Sequence, residues 1–230
     1  MPDAQNHLIE LLPRRDRTRL LAVCEPVQLE LREELCARGE RMRHVYFPTD
    51  GFISLVAQVD QHPSLEVGMV GREGMVGASL MLGVTTVPLR ALVQGSGAAW
   101  RIDSAVFRRE LARSPPLQRV LGGYLYVLMA QMAASAACLR FHLIQPRLAR
   151  WLLMSQDRAH ADSFQVTQEF LAYMLGVRRV GVTAAARALQ HGGLIAYRRG
   201  ELTVLDRAGL EAAACSCYAS DADSYAQVVG

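Results

Sequence analysis

TQEFLAYMLGVRRVGVTAAAR, residues 167–187, decides the fold of this chain. It reads as two short helices joined by a tight turn. Ala172 stands where the helices cross, and a steep crossing leaves room there only for a small side chain. Gly176 stands where the chain turns, a position for a residue at ease with positive φ. Leu171, Leu175 and Val182 form an apolar wedge between the helices. Thr167 is placed to cap the first helix, and Glu169 suits its electropositive first turn. This is the spacing of a DNA-binding helix-turn-helix.

C-terminal to it, Gly192-Gly193 precede LIAYRRGELTVLD, in which residues 194–197 and 202–205 read as two strands around Arg199-Gly200. A strand hairpin directly after the second helix makes the unit winged. An ordinary helical hairpin with an appended hairpin is the competing explanation, and the wedge and wing together weigh against it. Arg178 and Arg179 open the second helix, the end that enters a major groove, and arginine suits bidentate pairing with guanine. Arg187, Arg198 and Arg199 are placed for phosphates. Thr167, Gln168 and Thr183 complete the expected DNA-facing set. For any one arginine alone, a solvated surface charge is the simpler account.

The composition fits an uneven division of labour. The chain has 230 residues, enough for one large or two modest domains, and 51% are hydrophobic. All 25 basic residues are arginine, and net charge is only +3. Yet residues 140–207 hold ten arginines against five acids (Asp157, Asp162, Glu169, Glu201, Asp206). A basic C-terminal third suits nucleic acid. The first twenty residues carry early charges and no long apolar core, so no signal peptide is expected. Five scattered cysteines, Cys24, Cys36, Cys138, Cys215 and Cys217, suggest free thiols in a reducing cytoplasm. Cys215-Ser216-Cys217 is the one close pair. A four-ligand zinc or cluster set is missing from the linear pattern, so no metal site is expected.

Residues 120–139 run without a charge and could span a bilayer by length. They also hold Gly122, Gly123, Gln131 and Ser135. Leu117, Leu121, Tyr124, Leu128, Met132, Ser135 and Leu139 recur at steps of three or four, one stripe of a helix meeting another helix. A dimerisation helix is therefore expected rather than a membrane span.

Upstream, residues 7–25 look helical, with Leu8, Leu11, Leu12, Leu20, Leu21 and Val23 inward. Short β-rich runs follow at 45–47, 52–58, 65–70, 89–94 and 98–102. Pro48-Thr49-Asp50-Gly51, His62-Pro63, Gly71-Arg72-Glu73-Gly74 and Gly95-Ser96-Gly97 punctuate them, the pattern of a small β-barrel or roll. A helix over 103–113, a break at Ser114-Pro115-Pro116, the long helix, a bend at Gln145-Pro146 and a helix over 147–158 complete the chain up to the helix-turn-helix. The fold class is α+β. The expected domains are 1–114 (β-roll with flanking helices), 115–145 (dimerisation helix and hinge) and 146–230 (winged helix-turn-helix).

This order, with TQEFLAYMLGVRR at 167–179, GLIAYRRGELTVLDR at 193–207 and YFPTDGFISLV at 46–56, resembles the Crp/Fnr family of bacterial transcription regulators. The resemblance implies a cytoplasmic homodimer with paired long helices. It implies an effector domain related to cyclic-nucleotide-binding domains, a palindromic duplex DNA site, and RNA polymerase as a further partner. Members that bind cyclic nucleotides carry a phosphate cassette resembling Gly-Glu followed by Arg-Ser/Thr-Ala. Its counterpart here is VGASLMLGVTTVPLRALVQ, 76–94. Gly77 fits, but the Glu position is Ala78. The Arg position falls on Leu89, with Ala91 keeping the family's Ala. Arg90 is one place away and would face the other side of a strand. A buried phosphate without its cation is costly, so ordinary cAMP binding is not expected unless the loop shifts by one residue. Cluster-binding members group cysteines near the N-terminus, where this chain has only Cys24 and Cys36. Haem would need His44, His62 or His142 as axial ligand. Neither cofactor is expected.

Arg179 matches the family's guanine-reading arginine, but its companion Glu is Val180, so DNA site preference should differ. Val180, Gly181, Val182 and Thr183 also lower helix propensity, and packing or DNA must supply the missing order. Two other classes were weighed. A cupin-like enzyme needs clustered His and carboxylate ligands, and His44 and His62 are isolated. A protein–protein adaptor that lost DNA binding has only the weak propensity of 180–183 in its favour. No catalytic residue is expected.

Overall fold

The computed structural model describes residues 5–58 and 64–230. The chain opens with α1 (His7–Glu10) and α2 (Arg14–Leu21). The single helix expected over 7–25 is thus two, because Pro13 has no N–H to continue a helix but can begin one. Leu8, Leu12 and Leu20 are buried, whereas the break leaves Leu11 exposed, and Val23 lies exposed beyond α2. Asn6 caps α1 and is itself fully buried. Its Nδ2 donates to the carbonyl oxygens of Pro48 (2.8 Å) and Gly74 (3.0 Å), anchoring the entry to the roll.

The roll is built from β1 (Glu25–Leu29), β2 (Glu34–Cys36), β3 (His44–Pro48), β4 (Phe52–Ala57) and β5 (Leu65–Val70). A 3-10 turn (Ala78–Leu82) follows, then β6 (Arg90–Gly95) and β7 (Gly97–Asp103). They form two antiparallel sheets, ordered β1-β7-β3 and β2-β6-β4-β5. Val45, Phe47, Leu55, Val70, Ala91 and Val93 fill the space between them. No strand is expected from the sequence at β1 or β2: β1 is mostly exposed, β2 is only three residues long, and neither carries an extended apolar run. The expected His62-Pro63 turn lies outside the described residues.

Asp103 caps α3 (Ser104–Arg113), its Oδ1 accepting from the backbone N–H groups of Ala105 (2.8 Å) and Val106 (3.1 Å). Ser114 caps α4 (Pro115–Phe141), whose first turn holds both prolines, so Ser-Pro-Pro starts the long helix as well as ending α3. α4 has the length and composition of a membrane span, but one face packs into the protein. Leu117, Leu121, Tyr124 and Leu128 are buried in the core of their own roll. Met132 packs against that core, and Leu139 is half-buried. This corrects the stripe expected to meet a partner: the most apolar face of α4 is taken up within the protomer. The face left exposed is Gly122, Tyr126, Met129, Ala133, Ala136 and Arg140. It alternates steps of four and three, the heptad rhythm of paired helices.

The chain turns at His142 and Leu143 into α5 (Ile144–Ala159), so Pro146 lies in a first turn and the bend precedes it. Then come β8 (Ser163–Gln165), α6 (Gln168–Leu175), α7 (Arg179–His191), β9 (Ile195–Arg198) and β10 (Glu201–Val204). The wing sheet is ordered β8-β10-β9, with β8 an unanticipated third strand. α8 (Arg207–Ala213) and α9 (Cys217–Val228) complete the chain. α9 returns antiparallel along α4, from Cys217 beside His142 to Val228 beside Gly123. A second core joins α5, α6, α7 and the wing to Phe52, Val56, Met69 and Leu92 on the outer face of the roll. Arg158 of α5 pairs with Glu73 of the roll at 2.7 Å.

Candidate nucleic-acid interface

The helix-turn-helix is held by local chemistry and by α5. Thr167 Oγ1 accepts from the Phe170 N–H at 3.1 Å, capping α6. Gly176 ends it at φ +62°, and a side chain there would also meet Leu65 Cδ1 at 2.8 Å. Conformation and space both require glycine. Leu171, Ala172, Leu175 and Val182 are all buried, as the wedge requires. Arg147 of α5, itself buried, donates to the Leu175 carbonyl oxygen. That places a cation at the negative end of α6. Gly181 lies against Ile144 of α5, and Val182, Ala185, Ala186 and Leu189 are buried. Packing thus orders the weak helix former at the start of α7.

The opposite face of α7 is bare. Arg179, Val180, Ala184 and Arg187 are exposed, and Arg178, at the N-cap, is exposed beside them. Thr183 Oγ1 donates to Gln168 Oε1 at 2.6 Å, linking the expected DNA-facing positions of α6 and α7. The wing turns at Arg199 (φ +54°) and Gly200 (φ +84°), between Arg198 and Glu201. Two left-handed residues in a two-residue loop make the tight hairpin whose twist matches its strands. Tyr197 Oη donates to the Val166 carbonyl at 2.7 Å. Gln190 Nε2 of α7 donates to the Tyr197 carbonyl oxygen at 3.4 Å, joining the helix to the wing, and burial pushes the Tyr197 phenol up against the pull of the Arg179 guanidinium.

What sets these arginines apart is that they are unpaired and gathered on the exposed face of one small unit. Arg19, Arg90, Arg101, Arg150, Arg158 and Arg207 each hold a carboxylate. Among the described residues, Arg178, Arg179, Arg187, Arg198 and Arg199 hold none. Five uncompensated guanidinium groups on one exposed unit form an anion-seeking surface.

Among the described residues, the cassette positions of the roll bring no cation inward. Gly77 is left-handed at φ +106° with Val45 against it; Ala78 and Ala91 are buried, and Leu89 packs on the roll core. Arg90 faces away from the interior, as alternation on a strand dictates. It pairs with Glu34 on the neighbouring strand, and its Nη1 lies 3.5 Å from Tyr173 Oη of α6. The one-residue shift that would turn it inward is not what the structure shows. His44 packs edge-on against Tyr46, and His62 lies outside the described residues.

The donor set that the linear pattern lacks is nonetheless brought together by the fold: Cys138 and His142 at the end of α4 meet Cys215 and Cys217 at the start of α9, with their ligand atoms all within 4.8 Å of one another.

Residues 146–213 match the Crp-like helix-turn-helix domain. None of the curated proteins matches the chain by sequence. Solved structures share its fold over most of its length. The c-di-GMP-responsive global regulator CLP of Xanthomonas campestris is 19% identical, with a TM-score of 0.68 over 84% of this chain and 100% of that one. A transcriptional regulator of the Crp/Fnr family from Eubacterium rectale is 15% identical, with a TM-score of 0.71 over 91% and 98%. FixK2 of Bradyrhizobium japonicum is 14% identical, with a TM-score of 0.70 over 84% and 98%.

Proposed function

We infer that this chain, a Crp/Fnr-type regulator in its fold and in its Crp-like helix-turn-helix domain, binds specific duplex DNA as a homodimer and controls transcription from there. The observation that carries this reading is the unpaired arginine set on the exposed face of α7 and on the wing. Arg179 at the first turn of α7 reads guanine, Arg178 supports it, and Arg187, Arg198 and Arg199 grip phosphates. The Thr167 cap and the Gln168–Thr183 bond position the entry to the groove. Val180, 72% exposed beside Arg179, presents an apolar surface where a Glu would have accepted from cytosine.

Dimerisation runs through the exposed heptad face of α4, from Gly122 to Arg140. Two-fold symmetry then demands a palindromic site with half-sites about one helical turn apart. Residues 1–114 form the sensing unit, 115–145 the dimer helix and hinge, and 146–230 the DNA-binding unit. RNA polymerase is the remaining partner, and the cytoplasm the compartment. The reading assigns no catalysis. Effector control proceeds without ordinary cAMP chemistry: Ala78 and Leu89 offer no charge, and Arg90 is committed to Glu34.

Selection of bound duplexes from a random pool tests this reading. A recovered inverted repeat, bound with a steep salt dependence, is expected. Equal affinity for selected and random duplexes would overturn it.

A further inference from the structure

Cys138 and His142 are four residues apart on the last turn of α4, so their side chains leave the helix on one side. Cys215 lies in the short link between α8 and α9, and Cys217 opens α9 just beyond its N-cap Ser216. The Cys215 N–H donates to the Pro146 carbonyl oxygen at 3.3 Å, fixing that link against the first turn of α5. Two pairs of soft ligands, 77 residues apart from Cys138 to Cys215, thereby converge. Cys138 and Cys215 are almost fully buried, while His142 and Cys217 close the outer side.

The spacing is informative. Cys138 Sγ and Cys215 Sγ are 3.6 Å apart, as are Cys217 Sγ and His142 Nδ1. Metal–sulfur bonds of about 2.3 Å at tetrahedral angles would set sulfurs about 3.8 Å apart. A disulfide would need about 2.05 Å. An iron–sulfur cluster would hold its thiolates farther apart, because several metal and sulfide atoms lie between them. Four donors this close enclose a single ion. Three thiolates and one neutral imidazole around a divalent ion leave one net negative charge. Arg150 and Arg147 act electrostatically on Cys138 and Cys215 to offset it.

We propose that Cys138, His142, Cys215 and Cys217 form a tetrahedral zinc site that joins the link before α9 to the end of α4. Sulfur-rich tetrahedral donation selects zinc over the hard cations magnesium and calcium. Binding takes place without electron transfer: each coordinated thiol gives up its proton to solvent as its sulfur bonds to Zn²⁺, and His142 coordinates through Nδ1 as the neutral ring. With all four positions filled by protein, the site has no place for a substrate and is structural.

The test uses the full chain purified under reducing conditions, with metal content measured by plasma mass spectrometry. One zinc per chain is expected. Exchange into Co²⁺ should give the thiolate charge-transfer and strong ligand-field absorption of tetrahedral cobalt. His142→Ala and Cys217→Ser replace partly exposed ligands and should lose most of the metal against a fixed chelator concentration. Cys36→Ser, outside the site, should keep it. A folded wild-type chain that carries no zinc and gives no tetrahedral cobalt spectrum would overturn the proposal. So would iron with sulfide, a Cys138–Cys215 disulfide in the fresh reduced preparation, or full zinc retention in Cys138→Ser and Cys217→Ser.

Discussion

Ile144 and Gly181 occupy one space between them: a Cβ on Gly181 would sit 2.6 Å from Ile144 Cδ1. The first residue of α5 thereby decides what the first turn of the recognition helix can contain. Glycine inside a helix costs about 1 kcal/mol relative to alanine, and here that cost accompanies a close helix contact. Gly181→Ala alone should recover little of it, because Ile144 must move. Ile144→Val removes the Cδ1 that clashes. The Ile144→Val/Gly181→Ala pair should therefore be more stable than the two single effects sum to, by about 0.5–1 kcal/mol. Denaturant unfolding of the four proteins checks this; strict additivity would refute the contact.

The faces of α4 should respond oppositely to charge. Tyr126→Glu or Met129→Glu falls on a face that is 62% exposed at both residues. Each should leave the protomer folded and dissociate the dimer, as read by sedimentation and circular dichroism. Leu121→Glu, at a fully buried position, should unfold the protomer instead. A dimer that survives both surface changes would remove this face from the interface.

Arg199 combines strained backbone with a free charge. Its φ of +54° suits asparagine better than arginine. Arg199→Asn should hold or slightly raise stability while weakening DNA binding evenly across sequences and flattening the salt slope by about one. Arg179→Ala should instead cost about 1–3 kcal/mol at one base position. Equal effects of the two changes on specificity would merge the roles assigned to them.

Glu66 of β5 gives the fold a pH dependence. Burial pushes its carboxyl up from 4.5 to about 7, against the hydrogen bond from Ser54 and the charges of Arg158 and Arg150. The folded state thus holds a proton that the unfolded chain has released, so this contribution weakens stability as pH rises from 4.5 through 7 and is level above. Glu66→Gln should remove that loss, about 3 kcal/mol. Melting temperatures at pH 5 and pH 8 should differ less in the variant than in the wild type.

Arg150 and Asp221 form a largely buried ion pair at 2.6 Å between α5 and α9. Asp221→Ala leaves the guanidinium without its carboxylate and should cost about 3 kcal/mol in denaturant unfolding. A cost below about 1 kcal/mol would mean that solvent reaches Arg150.

Elements defined by local chemistry were legible in the sequence. Thr167, Ala172 and Gly176 announce the helix-turn-helix because capping, close crossing and positive φ each demand a residue type. Asp103 announces a helix start in the same way, whereas Ser114 reads only as a break although it also caps α4. What required the fold was direction. The period of Leu117, Leu121, Tyr124 and Leu128 reveals an apolar face, but period alone does not say whether it meets a partner or the protein's own roll. The weak helix former at Gly181 could not be explained without Ile144, 37 residues away. Cys138 and His142 carry a helical spacing and Cys215 with Cys217 a tight one, yet nothing linear says that the pairs meet. β1 and β2 carry no linear signal because β1 is mostly exposed and β2 spans only three residues.

The course of α9 constrains how the DNA-binding unit can move. It returns along α4, and its Tyr225 hydroxyl lies 2.8 Å from His7 Nδ1 near the start of the chain while donating to the Glu73 carbonyl at 2.7 Å. The unit is therefore attached to the rest of the protomer at both of its ends, at residues 142–143 and again through α9. A body hung from one flexible joint can swing in any direction. One pinned at two points keeps only rotation about the line between them, and here even that rotation must part the core shared with Phe52, Val56, Met69 and Leu92 and break Arg158–Glu73. A signal from the roll therefore has to loosen this shared face or peel α9 away.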